Sequence, residues 1–334
     1  VNLVPSALPG DLYAYVGNHV WETIREEAKF IDNKDELEVL VANLIDLKAQ
    51  VSVAEDKSDR RKELIDALNK LKRKSYEEIR AASPLFWLKI TDAKHKRKIV
   101  KRPCMTISYG ATAFGMSQQC IDDSRKHGIP LLMNNEHIWS SYMGRLIYND
   151  CKKSIKRPMQ LLSVFEEAGR LAEGRDEFLK WYAPVTNFPV VQHYMEGTVK
   201  KVWLQYGPPR GERLSTDRYE NTYQVNLCFT EELKPAKKKQ SQGAAPNAIH
   251  SLDAAHLMLT IHNCNFTVTT VHDAYGCLLG DMQDLYVIVR ESFVELYEKD
   301  PLKSLVTQLG GDMSAVDIGT LDLSLILESE YAFA

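Results

Sequence analysis

Two short stretches of this 334-residue sequence carry side chains suited to transferring a nucleotide. In the first, Arg97 and Lys101 stand four apart. On a helix they share a face, Met105 follows one turn on, and Tyr109 falls roughly 80° round from Lys101. Such a face offers two cations to a triphosphate and then an aromatic ring to a sugar or base, with Gly110 leaving room for another backbone. In the second, His272-Asp273 follows the β-branched run Thr267 to Val271, which puts a carboxylate at the turn between two strands. Nucleotidyl transfer asks for these two things: cations for the triphosphate, and carboxylates that hold two divalent ions about 3.5 to 4 Å apart. Taken singly, each signal has a plainer meaning. A cationic helix is ordinarily a solvated face or a DNA-backbone contact, His-Asp after a strand is ordinarily a turn cap or ion pair, and His250 by itself reads as a satisfied structural histidine.

The elements that must position these residues are mostly helices. Residues 10 to 80 repeat apolar positions at three and four, as in Leu37, Leu40, Val41, Leu44 and Leu47, which predicts long amphipathic helices. Ser83-Pro84 interrupts them, and a further helix is expected from near Ile90 toward Tyr109, kinked near Arg102 by Pro103. Helical spacing returns from Glu136 to Lys180. Between residues 183 and 230, turn residues separate alternating segments such as Lys201 to Leu204 and Tyr223 to Leu227, which predicts an extended β-hairpin. Lys237 to Gly243 reads as a basic flexible loop, either a solvated tether or a neighbour of a phosphate backbone. A helix over 245–262 follows, then the strand ending at Val271, its return over Cys277 to Leu279, and closing helices.

Composition sets the outer bounds. With 44% hydrophobic and 26% charged residues the chain is an ordinary folded protein. The sequence has no apolar run of about 18 residues and no signal pattern at its start, so the expectation is a cytoplasmic protein without a membrane span. Six cysteines without a C-x-x-C pair argue against a zinc site or a disulfide framework. Net charge is only −3, yet basic residues gather at Arg60 to Lys62, Lys70 to Lys74, Lys94 to Arg102, Lys152 to Arg157 and Lys234 to Lys239, which permits a polyanionic partner.

Read together, the segments become specific. Arg97-Lys98-Ile99-Val100-Lys101-Arg102-Pro103-Cys104-Met105-Thr106-Ile107-Ser108-Tyr109-Gly110, continuing to Phe114-Gly115 and Gln118-Gln119, resembles motif B of the phage and mitochondrial single-subunit RNA polymerases. His272-Asp273-Ala274-Tyr275-Gly276 is similar to their motif C, Ala245-Pro246-Asn247 to Asp253 to the segment before it, and Ile326 to Ala334 to the terminal foot of the phage members. The start, from Val1-Asn2-Leu3 to Asp11-Leu12-Tyr13, resembles the family just after motif A, so the likeness spans nearly the whole chain. The resemblance implies an α+β, mostly helical fold: fingers over 1–182 with motif B at 97–115, a specificity hairpin over 183–228 reading promoter DNA, a basic loop and return of the fingers over 229–249, and a C-terminal palm over 250–334. It implies that Arg97 and Lys101 bind the incoming triphosphate, that Tyr109 selects ribonucleotides, and that Asp273 ligates metal. Tyr13 and His250 would lie near the nucleotide, and Phe114 and Gly115 near the template. The implied cofactor is Mg2+, two ions; the implied partners are a DNA template, nascent RNA and ribonucleoside triphosphates.

The sequence also departs from that pattern. Pro103 stands in a helix that the family keeps straight. Motif A, an aspartate followed by Ser-Gly, resembles nothing in these residues. A missing upstream segment or a separate polymerase subunit is therefore expected to complete the palm, as in phage relatives divided between two polypeptides. Two other readings stay open. A family A DNA polymerase fragment shares the Tyr-Gly and His-Asp elements, although Glu usually follows its motif C aspartate and Ala274 follows here. A non-catalytic DNA-binding or assembly subunit would not need Arg97, Lys101, Tyr109 and Asp273 together.

Overall fold

The computed structural model describes residues 2–54, 58–74, 76–129, 137–173, 178–205, 222–229, 234–314 and 316–333. The chain divides into two compact units, Val1–Leu162 with Val316–Ala334, and Ser163–Ala315. Helices dominate both and the described strands pair only two by two, in keeping with the α+β, mostly helical expectation.

The first unit opens with α1 (Leu12–Lys29), α2 (Lys34–Val53), α3 (Asp59–Lys74) and α4 (Tyr76–Ala81). On α1 the buried residues Val16, Val20 and Ile24 recur every fourth position, with Trp21 beside them, so one stripe faces the core and the other sides stay polar. The helical run breaks at Ser83-Pro84 as expected, since α4 ends at Ala81, but a short helix not read from the sequence, α5 (Ser83–Leu88), starts there. Pro84 sits in the first turn, where its missing N–H is one the helix would leave unpaired anyway. α6 (Ala93–Ile107) runs as one helix through the buried Pro103, and the Thr106 hydroxyl bonds back to the Arg102 and Pro103 carbonyls at 3.1 and 3.2 Å.

α7 (Ala113–Lys126), α8 (His137–Ser154) and α9 (Lys156–Glu173) follow, the last continuing into the second unit. Trp139 of α8 stacks on Phe86 at 3.8 Å between ring centroids and donates its Nε1–H to the Ile79 carbonyl, while Trp87 donates to the Trp139 carbonyl. Two indoles are thus buried with their N–H groups satisfied. α7 and α8 pack backbone to backbone. A β-carbon on Gly144 would lie 2.7 Å from the Ser117 nitrogen and 2.8 Å from the Ala113 oxygen, inside the contact distance of any real side chain. Cys104 and Cys151 are buried, their sulfurs 3.4 Å apart. The hydrogen bond between them and burial push the Cys104 thiol far up, which keeps it protonated, and among the described residues Cys104, Cys120, Cys151, Cys264 and Cys277 are free thiols.

Among its described residues the second unit holds three hairpins. β1 (Leu179–Tyr182) pairs antiparallel with β2 (Pro189–Gln192), β3 (Thr198–Gln205) with β4 (Thr222–Phe229), and β5 (Val268–Val271) with β6 (Ala274–Cys277). The single hairpin expected over 183–228 is therefore two. Residues 206–221, with Pro208, Pro209 and Gly211, lie outside the described residues. The helical reading to Lys180 also yields, because Leu179–Tyr182 is a strand whose buried positions alternate.

The largest correction concerns the basic segment. Lys237 begins α10 (Lys237–Asn263), a 27-residue helix that passes through Pro246. Three lysines at a helix start oppose its dipole, so local preference favours a loop. What overrides it is tertiary: Gln240 is buried and exchanges hydrogen bonds with Gln192 of β2, its Nε2 donating to the Gln192 carbonyl at 2.9 Å and its Oε1 accepting from Gln192 Nε2 at 2.9 Å. A paired buried amide couple of this kind fixes the first turn. α11 (Met282–Glu298) and α12 (Pro301–Leu309) complete the unit, and α13 (Leu325–Glu328) belongs to the first. There the Ser329 hydroxyl donates to the Asn2 carbonyl at 2.6 Å, which ties the last described residues to the first.

Candidate functional site

The cation-bearing face sits where α6 runs beside the start of α1. Asp11 caps α1: its Oδ1 accepts from the Tyr13 and Ala14 amides at 2.9 and 3.0 Å, satisfying two of the donors a helix leaves open. Its Oδ2 accepts from Arg97 Nε at 2.5 Å. Partial burial alone would raise the Asp11 carboxyl, but the hydrogen bonds from Arg97, Ala14 and Tyr13 and the guanidinium charge hold it below the usual carboxylate range. Arg97 and Asp11 side chains are 41% and 34% exposed, so solvent screens the pair and leaves it open to a ligand.

Tyr13 is the platform between the two cations. The Arg97 guanidinium lies 5.3 Å and the Lys101 ammonium 5.8 Å from its ring centroid, within cation–π reach. Its phenol is raised by burial first, then by Cys104, with Asp11 and Tyr109 adding and Arg97 opposing. Tyr109 is thus an electrostatic neighbour of the same ring. The end of α6 exposes Tyr109 by a specific turn. Gly110 takes φ of 82°, its N–H reaches the Ile107 carbonyl at 3.0 Å, and the Ala111 N–H reaches Thr106 at 3.1 Å. This is the left-handed closure that favours glycine. Four of the expected residues, Arg97, Lys101, Tyr109 and Tyr13, therefore come together.

Phe114 and Gly115 occupy the first turn of α7, just beyond that closure. Thr112 caps the turn, its hydroxyl accepting from the Gly115 amide at 3.1 Å. The Phe114 ring is 70% exposed, so it is presented to solvent instead of being packed into the core.

Asp273 belongs to the second unit. Val271 pairs with Ala274, so His272 and Asp273 are the two-residue turn of the β5–β6 hairpin and both side chains are exposed. His272 takes φ of 53°, a left-handed conformation in which histidine is among the tolerated types. The return strand begins directly after Asp273, three residues earlier than the sequence predicts, because β6 uses Tyr275 and Gly276 opposite Thr270 and Thr269. A β-carbon on Gly276 would meet the Thr269 methyl at 2.9 Å, so glycine lets the strands close. Tyr275 packs edge-on to His256 of α10 at 6.2 Å. Its phenol is raised by burial first and then by Asp253 and Asp273, against the Thr260 hydrogen bond.

His250 lies in another part of the second unit. It lines a cavity of about 370 Å³ with Trp181, Phe188, Gln192, Tyr194 and Asn247. Asn247 Nδ2 donates to Gln192 Oε1 at 2.9 Å and to the Tyr194 hydroxyl at 3.1 Å. Sequence reasoning missed these partners and Asp11. The cap position of Asp11 was readable from its place before an apolar-periodic run, but its bond to Arg97, 86 residues away, was not.

Among the described residues no group of three or more His, Cys, Asp or Glu side chains could hold a metal ion. An exposed aspartate on a tight turn nevertheless fits the way Mg2+ is commonly held, by one or two carboxylates with the rest of its shell from water and substrate phosphate. No helix among the described residues is long and apolar enough to cross a membrane.

Comparison with known proteins shows the family. Residues 1–317 match the family model described as DNA-dependent RNA polymerase. The T7 RNA polymerase of Escherichia phage T7 is 27% identical over 269 residues, which cover 71% of this chain and 29% of that protein. The DNA-directed RNA polymerase of Enterobacteria phage T3 is 26% identical over 260 residues, 71% and 29%, and the mitochondrial DNA-directed RNA polymerase of Homo sapiens is 27% identical over 263 residues, 71% and 20%. The chain spans under a third of the length of these relatives. On a family match that takes in both the Arg97–Tyr109 helix and the Asp273 turn, the chain belongs to the DNA-dependent RNA polymerase family of the phage and mitochondrial type.

Proposed function

We propose that this chain forms the fingers and C-terminal palm portion of a phage-type RNA polymerase, and that it takes part in DNA-templated synthesis of RNA from ribonucleoside triphosphates. The observation that carries the reading is the cluster at α6: Arg97 and Lys101 at one tyrosine ring, with Tyr109 one closure further on. Cations held at an aromatic platform and open to solvent are suited to a triphosphate, and an exposed tyrosine beside them is suited to the sugar. In this reading Arg97 and Lys101 bind the phosphates, Tyr109 distinguishes ribose from deoxyribose, and Tyr13 supports both cations. His250, over its cavity, meets the nucleotide or nascent pair, and Phe114 with Gly115 meets the template.

Asp273 is assigned the role of a ligand for Mg2+. Two such ions, when bound, supply Lewis-acid stabilisation of the attacking and leaving oxygens. The chain's own residues bind and orient: the cations hold the leaving pyrophosphate, and the short β5–β6 turn keeps the carboxylate exposed. A second aspartate is expected from an upstream segment or partner polypeptide. The β3–β4 hairpin is assigned to promoter contact.

The test is a transcription assay on single-stranded and double-stranded DNA, with this chain alone and with candidate upstream partners added. Template-dependent incorporation of ribonucleotides without a primer supports the assignment. Incorporation of deoxynucleotides from a primer only would make it a DNA polymerase, and full activity of an Asp273→Ala complex would remove the catalytic role.

A further inference from the structure

We infer that Asp11 is a positioning residue for the triphosphate: it clamps Arg97 from the side so that the guanidinium presents its two terminal nitrogens outward. The inference rests on the nucleotide reading of the α6 cluster and names a residue that this reading does not include.

The argument is one of donors and acceptors. A guanidinium has five N–H groups in a rigid fork, one on Nε and four on the terminal nitrogens. Asp11 takes the Nε proton. Among the described residues no hydrogen bond engages the terminal pair, and that pair is the end of the fork suited to bidentate contact with phosphate. The clamp itself is fixed. Its other oxygen is held by two backbone amides of α1, and the positive end of the helix dipole favours its charged form. A carboxylate pinned by three donors does not swing aside to act as a removable plug. It holds Arg97 in one orientation before a ligand arrives, which lowers the ordering cost of binding.

The same residue also places the second cation. Tyr13 lies two positions after Asp11, in the first turn that Asp11 caps, and its ring is shared by Arg97 and Lys101. One aspartate thus sets the start of α1, the ring on it and the guanidinium over that ring.

Two roles must be separated, capping α1 and clamping Arg97. Asp11→Ser separates them, since a serine hydroxyl accepts from the same amides but has no second oxygen for Nε. Inorganic tripolyphosphate and ATP are titrated into the full chain, and the melting temperature is measured beside them. The expected result is a Kd about tenfold higher for both probes, the loss of one oriented charge-assisted contact, with an unchanged melting temperature. In an Arg97→Ala background, Asp11→Ser is expected to change Kd less than about twofold, because coupled residues are not additive. Asp11→Asn, which keeps a capping oxygen and loses the charge, should show the same pattern and stands in if the serine variant folds poorly.

Wild-type Kd in both variants would overturn the clamp, as would tighter binding, which would make Asp11 a competitor of phosphate. An equal loss with Arg97 absent would reduce Asp11 to a cap. If Arg97→Ala and Lys101→Ala also leave both Kd values unchanged, or the wild-type chain binds neither probe, the nucleotide reading falls with the clamp. If those two variants weaken binding while the Asp11 variants do not, the clamp alone falls.

Discussion

The start of α1 with α6 and the turn of β5–β6 present their charged groups by opposite means. Arg97 and Lys101 rise from a helix whose far side is buried at Ile99, Val100, Cys104 and Ile107, and a capped carboxylate and an aromatic ring hold them in place. Asp273 rides on two paired strands of four residues, exposed with its turn neighbour His272. The cations are oriented by protein atoms before any ligand binds. The carboxylate is left open, which in the proposed reading would suit partners that are an ion and water, not other side chains. The difference teaches that, under the proposed function, pre-organisation is concentrated where the ligand would be a flexible polyanion with many poses to lose.

Breaking the open side should cost the most activity and the least stability. Asp273→Ala in a complete polymerase complex is expected to lower the rate of nucleotide addition roughly 10³-fold, the several kcal/mol that an ion-holding group contributes. Its melting temperature should stay at the wild-type value, since the side chain is exposed. A rate assay beside thermal unfolding checks both halves, and a stability loss equal to the activity loss would erase the contrast.

On the organised side, Lys101→Ala removes one charge-assisted phosphate contact worth about 1.5 to 3 kcal/mol. Nucleotide titrations should show kcat/KM down by about ten- to a hundredfold. Loss of folding instead would make Lys101 a structural lysine.

Tyr109→Phe sharpens the comparison further. Competition between ribonucleotide and deoxyribonucleotide should show discrimination falling by about two- to tenfold, the worth of one neutral hydrogen bond, with the maximal rate preserved. Unchanged discrimination would count against the selector role.

The smallest effect concerns acid. The Asp11 carboxyl is held below its usual value, so its contribution to stability is fully present above the unfolded value near pH 4. It is lost as pH falls through the folded value. Chemical unfolding between about pH 6 and 2.5 should show Asp11→Ser with a shallower acid decline than wild type, by well under about 1 kcal/mol because solvent screens the pair.

Much of the candidate site was legible because its signals are local. A spacing of four puts Arg97 and Lys101 on one face whatever the surroundings, and a β-branched run before His272-Asp273 announces a strand and its turn. What escaped was set at a distance. The helical start at Lys237 depends on Gln240 meeting Gln192, 48 residues earlier. β1 is a strand because Lys180 and Trp181 lie opposite Val191 and Val190, which no window around Trp181 contains. The Asp11–Arg97 bond joins two helices whose order along the chain says nothing of their adjacency. Pro103, expected to kink this helix, is buried inside α6, which continues through it.

Gly144 serves the molecule as a ruler. Because a β-carbon on it would lie under 3 Å from the Ser117 nitrogen and the Ala113 oxygen, α7 and α8 approach there more closely than any side chain would allow. Any larger residue there would act as a shim. It would lift the beginning of α7, and with it Thr112 and the outward Phe114 ring, away from the closing turn at Gly110. The reach of an aromatic surface group is thereby dimensioned from inside the protein, by a position that carries no side chain at all.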